Sequence, residues 1–162
     1  MNQISLAEQA GADVVLVTCS SVGPAVEASA IFSSVPVLRV DQPMADHAIS
    51  IGARIGVLAT LETTLGPTAD LIQRRSIIAK KTISITELLC EGAFVALLEG
   101  DFKKHDEIVL SKLQAILPFV DVVVLAQASM ARVVDQLPGG SFTIPILSSP
   151  RLAVEHLALL MK

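Results

Sequence analysis

Six short apolar runs punctuate the chain, at residues 13–18, 36–40, 55–59, 82–86, 121–126 and 143–147. They are rich in Val and Ile and are bounded by small or polar residues, which predicts strands buried in a sheet. Between them the apolar positions switch to a helical period. Val109, Leu113, Ile116 and Leu117 keep the i, i+4, i+7, i+8 spacing of one buried stripe, and Pro118 marks its end. Leu65, Ala69 and Ile72 form a second stripe, with Pro67 suited to a first turn, and Pro24 opens a third helix over 24–33. Strands alternating with helices predict an α/β fold with a parallel sheet and right-handed crossovers.

The pattern also repeats. Asp13-Val14-Val15-Leu16-Val17-Thr18-Cys19-Ser20-Ser21 returns as Asp121-Val122-Val123-Val124-Leu125-Ala126-Gln127-Ala128-Ser129, an offset of 108 residues. Each copy precedes a proline-led apolar run, Val35-Pro36-Val37-Leu38 and Ile144-Pro145-Ile146-Leu147, at an offset of 109 between the prolines. A period this long marks a duplicated half-domain, not a solenoid. Cys19 and Gln127 occupy equivalent positions of the two halves. Ile55-Gly56-Val57-Leu58-Ala59-Thr60 opens the second half, and its counterpart by the same offset would fall before Met1. The expectation is a first half lacking its opening strand, with roughly 50 residues missing from a complete repeat. The sheet edge this leaves needs cover, which homo-oligomerisation or strand exchange would supply.

Composition narrows the class. Hydrophobic residues make up 52% and charged residues 17%, with a mean hydropathy of +0.64, so much of the chain must be interior. No apolar run reaches the roughly 18 residues of a membrane span, and the start has neither a basic segment nor a signal-like core. The expectation is a soluble, cytoplasmic protein with no membrane association. A net charge of −4 with 3% aromatics, and no Trp or Tyr, argues against a nucleic-acid surface. The two cysteines are far apart in sequence, which suits a reducing compartment. Arg74-Arg75 and Lys80-Lys81 read as solvated helix ends, and His105 in Lys103-Lys104-His105-Asp106-Glu107 as an exposed helix start. His47 and His156 lack ligand spacing, so no metal site is expected. Pro138-Gly139-Gly140-Ser141 reads as a turn between a helix and a strand, not a phosphate loop.

In an open parallel sheet, ligands bind beyond the carboxyl ends of the strands. Cys19 follows the first strand there, ahead of a helix near Pro24, with Ser20, Ser21 and Gly23 where hydroxyls and free amides collect. Helix N-termini attract anions and favour thiolates, so this thiol can serve beside a bound carboxylate; a cysteine after a buried strand can equally be inert packing. The same geometry recurs at Gln127, Ala128 and Ser129. It recurs again at Thr60, Thr63 and Thr64, whose hydroxyls can hold a second carboxylate. Asp41 follows the second strand and can contact substrate, orient a neighbour or cap a helix. Cys90 lies in an apolar strand-to-helix junction and reads as packing. Asp13 and Asp121 precede strands at the far end and read as turn residues.

Taken in order, Thr18-Cys19-Ser20-Ser21-Val22-Gly23-Pro24, Arg39-Val40-Asp41-Gln42-Pro43-Met44, Gly56-Val57-Leu58-Ala59-Thr60 and Ala126-Gln127-Ala128-Ser129-Met130 resemble the aspartate/glutamate/hydantoin racemase superfamily. The resemblance covers nearly the whole chain and begins inside the family's first lobe. It implies two Rossmann-like parallel-sheet lobes related by pseudo-two-fold symmetry, a small carboxylate substrate between them, and no cofactor. The lobes would comprise residues 1–53 with 148–162, and residues 54–147. It also implies one cysteine per lobe, flanking the substrate's α-carbon, with Cys19 the first. Gln127 stands where the second belongs. An amide neither donates nor accepts a proton as an acid or base at neutral pH, although it can hydrogen-bond to a developing oxyanion. The resulting expectation is an isomerase/racemase-family enzyme that moves protons with one thiol. Decarboxylase or lyase chemistry, a non-catalytic carboxylate-binding module and a shortened, inactive product are the competing readings.

Overall fold

A computed structural model of the chain describes residues 2–137 and 142–161. Two runs in it are buried along their length. Strand β3, Arg54–Ala59, is solvent-free from Ile55 to Ala59, and β5, Val122–Leu125, is buried throughout. With residues on both faces covered, these two strands form the centre of a sheet. β3 pairs in parallel with β4, Ser84–Leu89, on one side and with β5 on the other; β5 pairs with β6, Ile146–Ser148. The order is β4-β3-β5-β6.

Helices cover both faces. Ile55, Val57, Ala59, Val122 and Val124 meet Met44, Ala45, Ala48 and Ile49 of α3, Gln42–Ile51, and Leu65, Leu71 and Ile72 of α4, Glu62–Ile78. Leu58, Val123 and Leu125 point the other way, as the two-residue period of a strand requires. They pack with Ala93 of α5, Ala93–Leu98, with Val109, Leu113 and Ile116 of α6, Phe102–Ile116, and with Met130 and Val133 of α7, Ala128–Asp135. Gly56 lies on this second face, where an added Cβ would sit 2.9 Å from Ile116 Cδ1. The glycine lets α6 lie close to the sheet.

The first sheet is smaller. β1, Val15–Val17, pairs in parallel with β2, Val37–Arg39, in register Val15↔Val37 to Val17↔Arg39. Around it run α1, Asn2–Gln9, and α2, Gly23–Ala30; α8, Ser149–Leu160, closes the chain and packs against α3. The order α1-β1-α2-β2-α3 matches α6-β5-α7-β6-α8, so the sequence repeat is a structural one. β3 and β4 have no counterparts in the first sheet, which has two strands where the second has four. β1 is accordingly half-buried, not enclosed on both faces.

Several expectations need correction. β4 begins two residues later than 82–86 and runs on to Leu89, because it continues alongside β3 to Ala59. Pro67 is the sixth residue of α4, not part of its first turn: the helix begins at Glu62, directly after Leu61. His105 is fully buried, since the α6 stripe extends one turn back through 105, 109, 113 and 116, and its Nδ1 lies 2.8 Å from Asp106 Oδ1. Arg74 and Arg75 are not simply solvated. Arg75 binds Asp46 of α3, and Arg74 binds Asp70 and Glu27. The turn expected at Pro138-Gly139-Gly140-Ser141 lies outside the described residues. No described helix is long and apolar enough to cross a membrane, and no described cluster of His, Cys, Asp and Glu has metal-binding geometry.

Candidate active site

The carboxyl ends of five strands, β1, β2, β3, β5 and β6, open into one cavity of about 520 Å³. Each strand delivers the chain into a helical start, so backbone N–H groups without helical partners gather there. β1 leads through Thr18 and Cys19 into a short 3-10 turn, Ser20–Val22, and then α2. β3 leads through Thr60 and Leu61 into α4, β5 through Ala126 and Gln127 into α7, and β6 into α8. Cys19, Ser20, Ser21, Thr64, Gln127 and Ser129 all line the cavity. Asp41, Thr60 and Thr63 do not.

Two of these three residues off the cavity wall, Thr60 and Asp41, still act on it. Thr60 donates twice to Gln127 Oε1, from its backbone N at 2.5 Å and from Oγ1 at 2.9 Å. A backbone N–H can only donate, so the amide oxygen is fixed there and the NH₂ end is left free of protein partners among the described residues. Ser21 Oγ lies 3.2 Å from Thr64 Oγ1, joining the turn after β1 to α4. Asp41 precedes α3 but does not cap it with its side chain. Its carboxylate instead takes both Arg39 Nε at 2.9 Å and a terminal guanidinium nitrogen at 2.7 Å. Thr63 is exposed on the first turn of α4.

Arg39 anchors the Cys19 wall. Its third nitrogen donates to Glu27 Oε1 of α2 at 2.8 Å, and Arg74 of α4 bonds the same carboxylate. Burial works against the Arg39 charge, yet the bonds to Asp41 and Glu27 hold its pKa above the ordinary arginine value. The guanidinium lies directly beneath Gly23, where a Cβ would come within 2.1 Å of Arg39 Cζ.

The two thiols differ sharply. Cys19 is exposed on the cavity wall with extended backbone angles, φ −124° and ψ 110°. Cys90 is fully enclosed in the core beside α5, and burial pushes its thiol up to about 11. That suits packing, not acid–base work at neutral pH. Ser149 was missed by sequence reasoning. It is buried at the first turn of α8 and lines the cavity with Pro150 and Ala153. The signal was available: Ser148-Ser149-Pro150 follows its strand as Ser20, Ser21 and Pro24 follow theirs.

A parallel α/β fold whose strand ends converge on a hydroxyl-rich cleft defines the structural class. The Asp/Glu/hydantoin racemase family model matches residues 1–157, and the chain belongs to that family. Its fold is similar to allantoin racemase from Klebsiella pneumoniae, with TM-score 0.74 and 19% identity over 98% of this chain and 63% of that one. It is similar to glutamate racemase from Francisella tularensis in complex with D-glutamate, with TM-score 0.74 and 13% identity over 98% and 60%. Picrophilus torridus aspartate racemase gives 0.66 and 17% over 99% and 68%. The chain thus spans about three-fifths of the length of the first two. No curated protein sequence matches it.

Proposed function

We propose that this protein is a cofactor-independent enzyme of the isomerase/racemase type that moves a proton at the carbon beside a small carboxylate, with Cys19 as the single acid/base. The observation that carries this reading is a pairing of side chains. An exposed thiol and an amide whose oxygen Thr60 holds in place line the same cavity. The hydroxyls of Ser20, Ser21, Thr64, Ser129 and Ser149, with the amides of the adjoining helix starts, receive the carboxylate. Cys19 as thiolate takes the α-proton and becomes the thiol. The electron pair released from the C–H bond moves onto the carboxylate, giving an enediolate, and Gln127 Nε2–H and the nearby amides stabilise that charge. The thiol then returns a proton to the same face. A decarboxylase would use the second half alone: a substrate with two carboxylates on one carbon loses one as CO₂, the electron pair of the broken C–C bond gives the enediolate of the other, and the Cys19 thiol protonates that carbon.

Asp41 and Thr60 support the wall from behind in this reading, and Thr63 has no part in it. Both cysteines are free, which supports a cytoplasmic setting, and the exposed Ile31 and Phe32 of the first lobe support homo-oligomerisation. The division into residues 1–53 with 148–162 and residues 54–147 belongs to the same proposal. The test is solvent-deuterium uptake at the α-carbon of candidate acids. Cys19→Ser should lower the exchange rate by about 10²–10⁴-fold, the usual contribution of a positioned acid/base. Undiminished exchange would remove Cys19 from the chemistry and leave a carboxylate-binding module.

A further inference from the structure

The two repeats differ most at the outer edge of β1. Val15 N–H donates to Pro36 O and Val123 N–H to Pro145 O, so β1 faces β2 as β5 faces β6. On its other side β5 is joined to β3: Asp121 N–H donates to Arg54 O at 2.7 Å, and Ala126 N–H to Leu58 O at 2.9 Å. The counterparts 108 positions earlier are Asp13 and Thr18, and neither N–H has a backbone acceptor among the described residues. The side chains repeat the contrast. Asp121 binds Ala53 N, Arg54 N and the Arg54 guanidinium, whereas the exposed Asp13 has no hydrogen-bond partner among the described residues. Residues 14–17 are half-buried and Thr18 is exposed, while residues 122–126 are buried.

We propose that the open edge of β1 is a docking site for an extended segment of another polypeptide, which adds as a parallel strand with an arginine at its start and apolar residues after it. An unpaired strand edge presents a row of free N–H and C=O groups, and main-chain bonds to such an edge supply the affinity of an added strand. The repeat sets the register. β3 pairs from Ile55↔Val122 to Leu58↔Leu125, so the incoming strand meets Val14 to Val17. Its arginine then reaches Asp13, as Arg54 reaches Asp121. Its far end arrives beside Cys19, as Thr60 stands beside Gln127. A second copy of this chain does not supply the segment. Among the described strands only β3 begins with arginine, and it is enclosed at the centre of its own sheet.

The probe is a synthetic peptide of residues 52–62, titrated by fluorescence anisotropy into the full chain. It should bind with Kd below about 1 mM and slow amide hydrogen exchange at residues 14–18. Asp13→Ala should weaken binding about tenfold, and so should Arg54→Glu in the peptide, since each removes charge-assisted hydrogen bonds. Under oxidised glutathione, a peptide carrying Thr60→Cys should form a disulfide with Cys19, and one carrying Ala53→Cys should not. No binding at about 1 mM would overturn the proposal, as would equal binding after either substitution of the Asp13–arginine pair. Trapping from position 53 would mean an antiparallel strand and would also overturn it. So would protection of residues 14–18 that grows with protein concentration in the absence of peptide, which would assign the edge to a second copy. None of these readouts depends on turnover, so the proposed chemistry stands or falls separately.

Discussion

At Gln127 the two ends of one amide face different surroundings. The oxygen is held by Thr60, and the nitrogen carries the only side-chain N–H on the cavity wall among the described residues. Gln127→Glu keeps the shape and the bonds from Thr60 but replaces that donor with an acceptor bearing negative charge. If the amide stabilises an enediolate, this variant should lose about 10²-fold in kcat for deuterium exchange, as removal of an oxyanion donor typically does. An unchanged kcat with a raised KM would instead assign Gln127 to ground-state binding. The equivalence of Cys19 and Gln127 was legible because the repeat aligns them. The use of Thr60 was not, since nothing local to Thr60-Leu61-Glu62 says that its hydroxyl serves a residue 67 positions away. Asp41 offered a clue that went unread. Arg39 ends β2 and Asp41 stands two residues further on, near enough for the two side chains to pair.

The helix that follows Cys19 and its 3-10 turn begins with a glycine for a steric reason. α2 starts over the Arg39 guanidinium, and only a residue without Cβ leaves room for it at Gly23. Gly23→Ala must push Arg39 off Asp41 and Glu27 or lift the start of α2. It should cost about 1–3 kcal/mol, as overpacking does. Asp41→Ala should cost more, about 3–5 kcal/mol, because it leaves the buried Arg39 charge with one partner. Both are read from urea unfolding midpoints. Equal midpoints for Asp41→Ala and the wild type would mean that the pair adds nothing. The elements most fully legible were those with a strong single period, such as β3, β5 and the α6 stripe. The readings that failed are those in which a neighbour decides. β4 is set by its register against β3. Pro67 sits inside a helix whose start is dictated by the strand before it, and His105 is buried by packing that its polar sequence neighbours conceal.

Across the whole molecule, the two ends of the central strands do different work. The carboxyl ends carry the cavity. At the amino ends Asp121, expected only to shape a turn, binds Ala53 N, Arg54 N and the Arg54 guanidinium, closing β3 onto β5. Hydrogen bonds from the Arg54 side chain and backbone hold the Asp121 carboxyl at about 2, below its ordinary 3.8. A carboxyl with a depressed native pKa stabilises the fold at pH values above its unfolded pKa, and that contribution disappears as pH falls through the native one. The wild type should therefore lose this part of its stability between pH 3.8 and about 2. Asp121→Asn should lack that component, so its urea midpoint should fall less steeply over the same interval. The site lies at the other end of the strands, so kcat/KM for exchange at neutral pH should match the wild type. If Asp121→Asn instead changes the kinetics while its acid profile follows the wild type, then the amino ends of the strands are coupled to the cavity, and the division between a supporting pole and a reacting pole fails.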